Sequence, residues 1–492
     1  MFSNICSLDP SSKPPFPLPI HSLVEGLLIL SLAVKPSPYR ALIFFPPIAI
    51  LVLWSLSCTR IQLGNIGDEM GLASRMILVL MSAAADILLS EPQKEVKLQK
   101  PYVLQDKKFD DGQYNIQSTL KFNGAHGHAQ VGDLTQTNDS DDTNIQGRYP
   151  ENISRAPFLT RLKWAATLHL NQRGLGFMHE PTYALPSRPS PSTTRKTFVL
   201  QRLFAISIFY VLIDIGRVTV HIYDYRRRWM LENHGGFGLF DPWKLWIIGF
   251  GVKFVGMLGY VHTCVAVLAV GLSFSRPQDW PFFFDIENVA NICSLKQFWG
   301  KFWHQSFRRV FQMHANFIAH TVLRFPKSRS KFILYTKVTL VFLLSGLLHF
   351  FTDSVALQSL SVSGALQFYL IQVVGLVIED TVANLWRYIQ GSGTISPKGP
   401  SEVISMNGSG GEDKTPPSTS PPTAFKLLGL LWVLLWLGYT LPMWADPLID
   451  GGYMEDVSKG AFSILMGLWQ GQWFWPKNNA WLWDGVNRPV SA

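Results

Sequence analysis

The chain has 492 residues, of which 47% are hydrophobic and 16% charged, and its mean hydropathy is +0.14. Soluble globular proteins carry about 25% charged residues, so this balance excludes an ordinary soluble enzyme and points to the bilayer as solvent. The formal charge of +9 is scattered among apolar runs without a zinc-finger or RNA-recognition pattern, which excludes nucleic acid as a partner and fits basic loops facing an anionic leaflet.

The opening segment carries prolines and a single Lys13 with no small-residue cleavage site after its apolar run, so no removable signal peptide is expected. A helix needs about 20 mostly apolar residues to cross the hydrocarbon core. By that ruler the candidate spans are 41–58, 72–89, 198–222, 243–272, 332–351, 366–386 and 425–441, with the shorter 23–34 as an eighth. The fold class expected is therefore all-α, a polytopic bundle of about eight transmembrane helices. Glycines 249, 251, 256 and 259 make the 243–272 run a candidate for a tilted or broken span, and the short, Trp-rich 461–475 a candidate for an interfacial segment.

Composition divides the chain into five parts: N-terminal helices (1–90), a hydrophilic loop (91–197), a catalytic membrane core (198–390), a Gly/Ser/Thr/Pro-rich flexible linker (391–423) and a C-terminal helix with an interfacial segment (424–492). The four cysteines, Cys6, Cys58, Cys264 and Cys293, form no C-x-x-C pair, so neither a disulfide framework nor a zinc site is expected. Lys296, Lys301, Arg308, Arg309, Arg324, Lys327, Arg329 and Lys331 crowd one loop without acidic neighbours, which makes that loop cytosolic. The glycan acceptor patterns at Asn138, Asn152 and Asn407 argue the other way for their own loops, and the basic-residue count is preferred.

Three stretches could carry chemistry. In Phe298-Trp-Gly-Lys-Phe-Trp-His304-Gln-Ser-Phe-Arg308-Arg309, helical periodicity gives a broad aromatic face containing Trp299 and Trp303, with Gly300, His304 and Arg308 following one another at i+4. The plain alternative is a membrane-surface helix whose cations touch lipid phosphates. In Ser345-Gly-Leu-Leu-His349-Phe-Phe-Thr-Asp353 an imidazole stands in an apolar span, where an ionisable group is a functional candidate. Ser345 and Asp353, one turn either side, could fix its tautomer, and Gly346 leaves room for a ligand or a neighbouring helix. The alternative is a bundle histidine satisfied by a carbonyl. In the third stretch Glu379 and Asp380 end an apolar helix, to be paired with Arg387 or a base of the preceding loop, or left at the interface with their heads in water.

Together with Arg155-Ala-Pro-Phe158-Leu-Thr-Arg161-Leu-Lys-Trp164 and Asn171-Gln-Arg173-Gly174-Leu-Gly176-Phe177, and with Pro442-Met-Trp444 near the end, these strings resemble the wax-synthase branch of the membrane-bound O-acyltransferase (MBOAT) superfamily. The likeness is to its fungal members that acetylate terpenoids and meroterpenoids. Phe177 and Leu175 depart from the family's usual Trp and Ile. The resemblance implies transfer of an acyl group, foremost acetyl, from a coenzyme A thioester to a lipid-soluble alcohol, with acyl-CoA as co-substrate and no bound cofactor or metal. It implies His349 as the general base and His304, or a donor beside it such as Gln305 or Ser306, as the oxyanion contact. Trp299, Trp303, Lys301, Arg308, Arg309 and Arg173 would bind substrate and the CoA phosphates, with Ser345, Asp353, Glu379 and Asp380 in support. A long-chain wax-ester synthase is the near alternative. A transporter using His349 and Glu379 as a proton relay is the distant one, and no repeated halves favour it. Residence in the endoplasmic reticulum is the localisation implied.

Overall fold

The computed structural model describes residues 13–96, 152–238, 241–285, 289–328, 330–359, 363–389, 423–453 and 460–475. The linker expected at 391–423, the acceptor patterns at Asn138 and Asn407, and most of the hydrophilic loop thus lie outside the described residues. Those described are helical, with only two isolated β-bridges, Pro15 to Arg60 and Phe462 to Phe474.

Three N-terminal helices come first: α1 (Pro19–Ala33), α2 (Arg40–Cys58) and α3 (Ile66–Ala83), the last extended by a π-helical turn, Ala84–Leu88. The Asn65 side chain accepts from the Asp68 amide and so starts α3. Against them lies α4 (Phe158–Leu170), which buries Trp164, Ala165 and Leu168 in one apolar cluster with Val24, Leu28 and Val79.

The larger bundle begins with α5 (Arg195–His234), capped by the Thr194 hydroxyl and closed by left-handed Gly235. At about 1.5 Å per residue it outruns any bilayer, so the expected span 198–222 is only its apolar part. A 3-10 turn, Pro242–Ile247, leads into α6 (Ile248–Gly271). The glycines of α6 do not break it. Gly249, Gly256 and Gly259 press it against α5 instead: a Cβ on Gly256 would lie 2.8 Å from the Ile213 amide nitrogen and 2.9 Å from the Phe209 carbonyl. Then follow α7 (Arg308–Phe317), α8 (Lys331–Ala356), α9 (Ala365–Ile389), α10 (Thr423–Thr440), α11 (Pro442–Asp450) and the short α12 (Ile464–Gln470).

Among the described residues six helices are long and apolar enough to cross a membrane, and α10 with α11, bent by 42°, makes a seventh. The expected eighth span is α1, which at 15 residues is too short by that ruler and packs on α2 and α4. Large apolar side chains remain exposed along the long helices, among them Leu42, Phe204, Val265 and Leu427, as lipid-facing stripes require. The protein is an integral, multi-pass membrane protein of all-α fold.

Two ends of the bundle can be told apart. At the basic end Arg40 donates to the Asp86 carbonyl at 2.6 Å, and Arg309 pairs with the Asp86 carboxylate at 2.5 Å. At the opposite end the chain before α1 pairs with Arg60, and Leu357 packs on Gly451. Cys58, on that opposite side, is disulfide-bonded while Cys264 and Cys293 are free. The expectation of no disulfide framework thus gives way to one bonded cysteine, whose partner lies outside the described residues; the absence of a C-x-x-C pair does not bear on bonds between residues far apart in the chain.

Candidate active site

Helix α8 carries Ser345, Gly346, His349 and Asp353. A Cβ on Gly346 would sit 3.2 Å from Leu366 Cα and from Tyr369 Cβ, so glycine at this point lets α9 lie hard against α8. Tyr369 is thereby laid flat on the His349 ring, with centroids 5.0 Å apart and planes 4° off parallel. Trp444, from the head of α11, closes a second side at 4.8 Å. The imidazole itself stays half-buried. Among the described residues no side chain or carbonyl hydrogen-bonds to it, which leaves both ring nitrogens for a ligand.

Neither expected orienting residue holds that ring. Asp353 Oδ2 accepts instead from Ser363 Oγ at 2.6 Å and from Trp444 Nε1 at 2.9 Å, and Ser345 lies against the Tyr369 hydroxyl. Residues one turn apart on a helix share a face, but their side chains lean toward whichever neighbouring helix offers a partner.

The aromatic stretch is not one helix. Leu295–Gln297 forms a single turn, Phe298–Phe302 is π-helical, Trp303 is extended, and α7 begins only at Arg308. The i+4 row through Gly300, His304 and Arg308 is therefore not a helix face. The break is held by side chains: Gln305 Nε2 donates to the Trp299 and Trp303 carbonyls, and Arg308 Nη1 donates to the Gly300 carbonyl at 3.2 Å and to Gln305 Oε1 at 2.7 Å. These bonds occupy the amide of Gln305, which removes it as an oxyanion donor. Ser306 faces a small polar pocket with Asp86, His179 and Arg309. Nor is the stretch an interfacial surface. Phe298 and Trp299 pack on the core of the large bundle.

His304 is half-buried between Trp303, Phe307 and Phe283, at 5.4, 5.0 and 6.4 Å between ring centroids. Burial pushes its pKa down to about 4, so at neutral pH it is an uncharged N–H donor. A chain of rings joins it to the other histidine: Trp303 meets Trp299 at 6.0 Å, and Trp299 meets Tyr369 at 6.0 Å. Trp299 is fixed by Gln372, whose Oε1 accepts from the Trp299 and Trp436 indoles at 3.3 and 3.1 Å while its amide donates to Thr440.

The basic residues divide. Arg173 is buried, donating to the Phe282 carbonyl at 2.8 Å and contacting His262 Nε2 at 2.9 Å. Desolvation lowers its pKa to about 10. Arg309 is held by Asp86. Both guanidinium groups are spent on the protein, so the expectation that they bind phosphate is not supported by their contacts. Lys301 is exposed and Arg308 half-buried beside Tyr183. Glu379 and Asp380 find partners in the preceding loop, the Arg387 side chain lying outside the described residues: Lys296 Nζ reaches Asp380 at 2.9 Å, and Glu379 accepts from the Leu295 and Lys296 amides and from Trp432 at 2.8 Å. The acid pair thus anchors the start of the aromatic stretch.

Tyr369, Gln372 and the role of Trp444 escaped the sequence reading. An amide in the middle of an apolar helix was a usable signal for Gln372; nothing in the spacing places Trp444 beside His349. A further cluster, Glu25 with Arg75 and His169, pins α4 to α1 and α3.

The site segment coincides with a known family. The profile of the "Membrane bound O-acyl transferase family" matches residues 280–371, which hold both histidines. Acetyltransferase eriL of Hericium erinaceus is 24% identical over 468 residues, 93% of this chain and 97% of that protein. Acetyltransferase ple2 of Rhodocybe pseudopiperita is 23% identical over 452 residues, 92% and 96% of the two chains. Acetyltransferase ataH of Aspergillus terreus is 30% identical over 254 residues, 49% of this chain and 81% of that protein. No solved structure matches. The chain belongs to the membrane-bound O-acyltransferase family. It is an acyltransferase.

Proposed function

We propose that the protein transfers an acetyl group from acetyl-CoA to a hydroxyl of a terpenoid or meroterpenoid in a secondary-metabolite pathway, at a membrane of the endoplasmic reticulum. The acetyl donor is favoured by the names of the relatives, all acetyltransferases. The observation that carries the chemistry is the pair of half-buried imidazoles in an aromatic enclosure: one with no protein hydrogen bond among the described residues, the other neutral at working pH.

In this reading His349 accepts the acceptor's hydroxyl proton as the oxygen attacks the thioester carbonyl. The C–O bond forms, the carbonyl oxygen takes the negative charge, and the His304 N–H donates to it. Collapse breaks the C–S bond, and the imidazolium returns its proton to the departing thiolate, giving ester and free CoA. A neutral imidazole suits the oxyanion role because it donates without the cost of a buried cation. Of the expected basic residues Lys301, which is exposed, remains as the contact for the CoA phosphates, since Arg308 is held by Gly300, Gln305 and Tyr183, and the basic end carrying Lys301 is the cytosolic one. The half-and-half anatomy, basic at one end and aromatic within, fits a water-soluble donor meeting a lipid-soluble acceptor inside the bundle.

Microsomes containing the protein are incubated with radiolabelled acetyl-CoA or palmitoyl-CoA and a panel of hydroxylated terpenoids and long-chain alcohols. Acetyl esters of the terpenoids are expected, and His349→Ala abolishes them while the protein stays in the membrane fraction. Palmitoyl esters alone would make it a wax-ester synthase, and full turnover by His349→Ala would refute the base.

A further inference from the structure

Trp444 reaches His349 only because the chain bends between α10 and α11. The approach is close: a Cβ on Gly364 would fall 1.7 Å from the Met443 carbonyl, so the segment leading into α9 makes way for the head of α11. Once there, the indole N–H donates to Asp353 Oδ2, the oxygen that also accepts from Ser363. Asp353 is fully buried, and its second oxygen has no hydrogen-bond partner among the described residues. A buried carboxylate so incompletely satisfied contributes little to stability, and an apolar residue of similar size would serve the fold as well or better. What the carboxylate does achieve is to fix one indole, whose ring stands 4.8 Å from the imidazole at 57° while Tyr369 lies parallel on another side.

We propose that Trp444 and Asp353 are positioning residues for the base: the carboxylate locks the indole by its N–H, and the indole with Tyr369 confines the imidazole plane so that its nitrogen meets the acceptor hydroxyl. The proposal rests on the reading of His349 as base. It replaces the usual arrangement, in which an acid hydrogen-bonds the histidine itself, by one in which the acid acts through an aromatic ring. The same two rings offer π-electron density to the imidazolium as it forms.

The test measures kcat and both KM values in microsomes with radiolabelled acetyl-CoA and the productive terpenoid alcohol, per mole of membrane-inserted protein. Trp444→Phe keeps the ring and loses the N–H. We expect it, and Asp353→Ala, each to lower kcat about tenfold to a hundredfold with KM values within about twofold, as a misplaced reacting group does. The double variant is expected to be no slower than the slower single one, because the second change removes nothing further. Asp353→Asn, which keeps an oxygen for the indole, recovers most of the kcat lost in Asp353→Ala. Gly364→Ala, displacing Met443 without touching either ring, lowers kcat in the same way. Should Asp353→Ala fail to insert, the contrast of Asp353→Asn with Trp444→Phe carries the test. Wild-type kcat in Trp444→Phe, a loss confined to KM, or additive losses in the double variant would overturn the proposal. His349→Ala separates the two readings: if it is inactive while Trp444→Phe is unimpaired, only the positioning role fails, and if it is active the base assignment fails first.

Discussion

On the proposed mechanism, replacing His304 by alanine removes the N–H offered to the developing oxyanion, and the surroundings fix how much that costs. The ring is enclosed by Trp303, Phe307 and Phe283. The neighbouring amide of Gln305 is already committed to two carbonyls and cannot stand in. Loss of one oxyanion donor lowers kcat by about 10²–10³, or about 2.7–4 kcal/mol of transition-state stabilisation, and with no local substitute the upper half of that range is expected. KM for the acceptor should stay within about threefold, since the contact strengthens only as charge develops. His304→Gln, which carries an N–H of similar reach, should recover part of the loss. The pH dependence gives a further check. With a pKa lowered to about 4, His304 stays neutral as the pH falls from 8 to 5, so the acid limb of the wild-type profile in that window does not come from it, and the alanine variant should keep the same limb at reduced height. Initial rates of radiolabelled acetyl transfer measure all of this. A variant with wild-type kcat, or one impaired only in KM, would refute the oxyanion role.

Arg309→Met should act on stability rather than on acyl-CoA affinity. It strands the Asp86 carboxylate, which is almost fully buried, at a cost of about 3–5 kcal/mol, seen as faster thermal inactivation with KM for acetyl-CoA little changed, and the Asp86→Leu/Arg309→Met double variant should regain much of the loss. Gln372→Leu leaves the Trp299 and Trp436 indoles without their acceptor; at about 1–3 kcal/mol for each unsatisfied buried group, lowered thermal stability and a lower kcat are expected together. On the proposed topology Asn152, although exposed, should carry no glycan, because Arg161 of the following α4 donates to the Ala33 carbonyl and α2 starts beside Asp86 at the basic end proposed as cytosolic. Mass-spectrometric occupancy of Asn152 would invert the topology.

The spans were legible in the sequence because a membrane core leaves a helix no choice but a long apolar run. The boundaries were read within a few residues for 41–58 against α2 and for 366–386 against α9. The aromatic stretch was not legible. Its periodicity suits a continuous helix, whereas the π-turn and the extended Trp303 depend on carbonyls being taken up by Gln305 and Arg308, a matter of side chains closing on their own backbone. Glu379 and Asp380 show an intermediate case. That the acids either meet a base or lie at the interface was legible, and that Lys296 is the base of Asp380 required the fold.

Sequence alone determined the solvent and the class of fold and singled out His349 as a candidate, because hydropathy and the cost of an ionisable ring in hydrocarbon are properties of single segments. Only the tertiary structure decided what surrounds those rings. Asp353 is four residues from His349 and serves Trp444 instead, while Trp444, far along the chain, is brought beside the imidazole by a bend and a glycine. A side chain's partner is set by the helix packed against it, and which helices pack together is a property of the whole bundle.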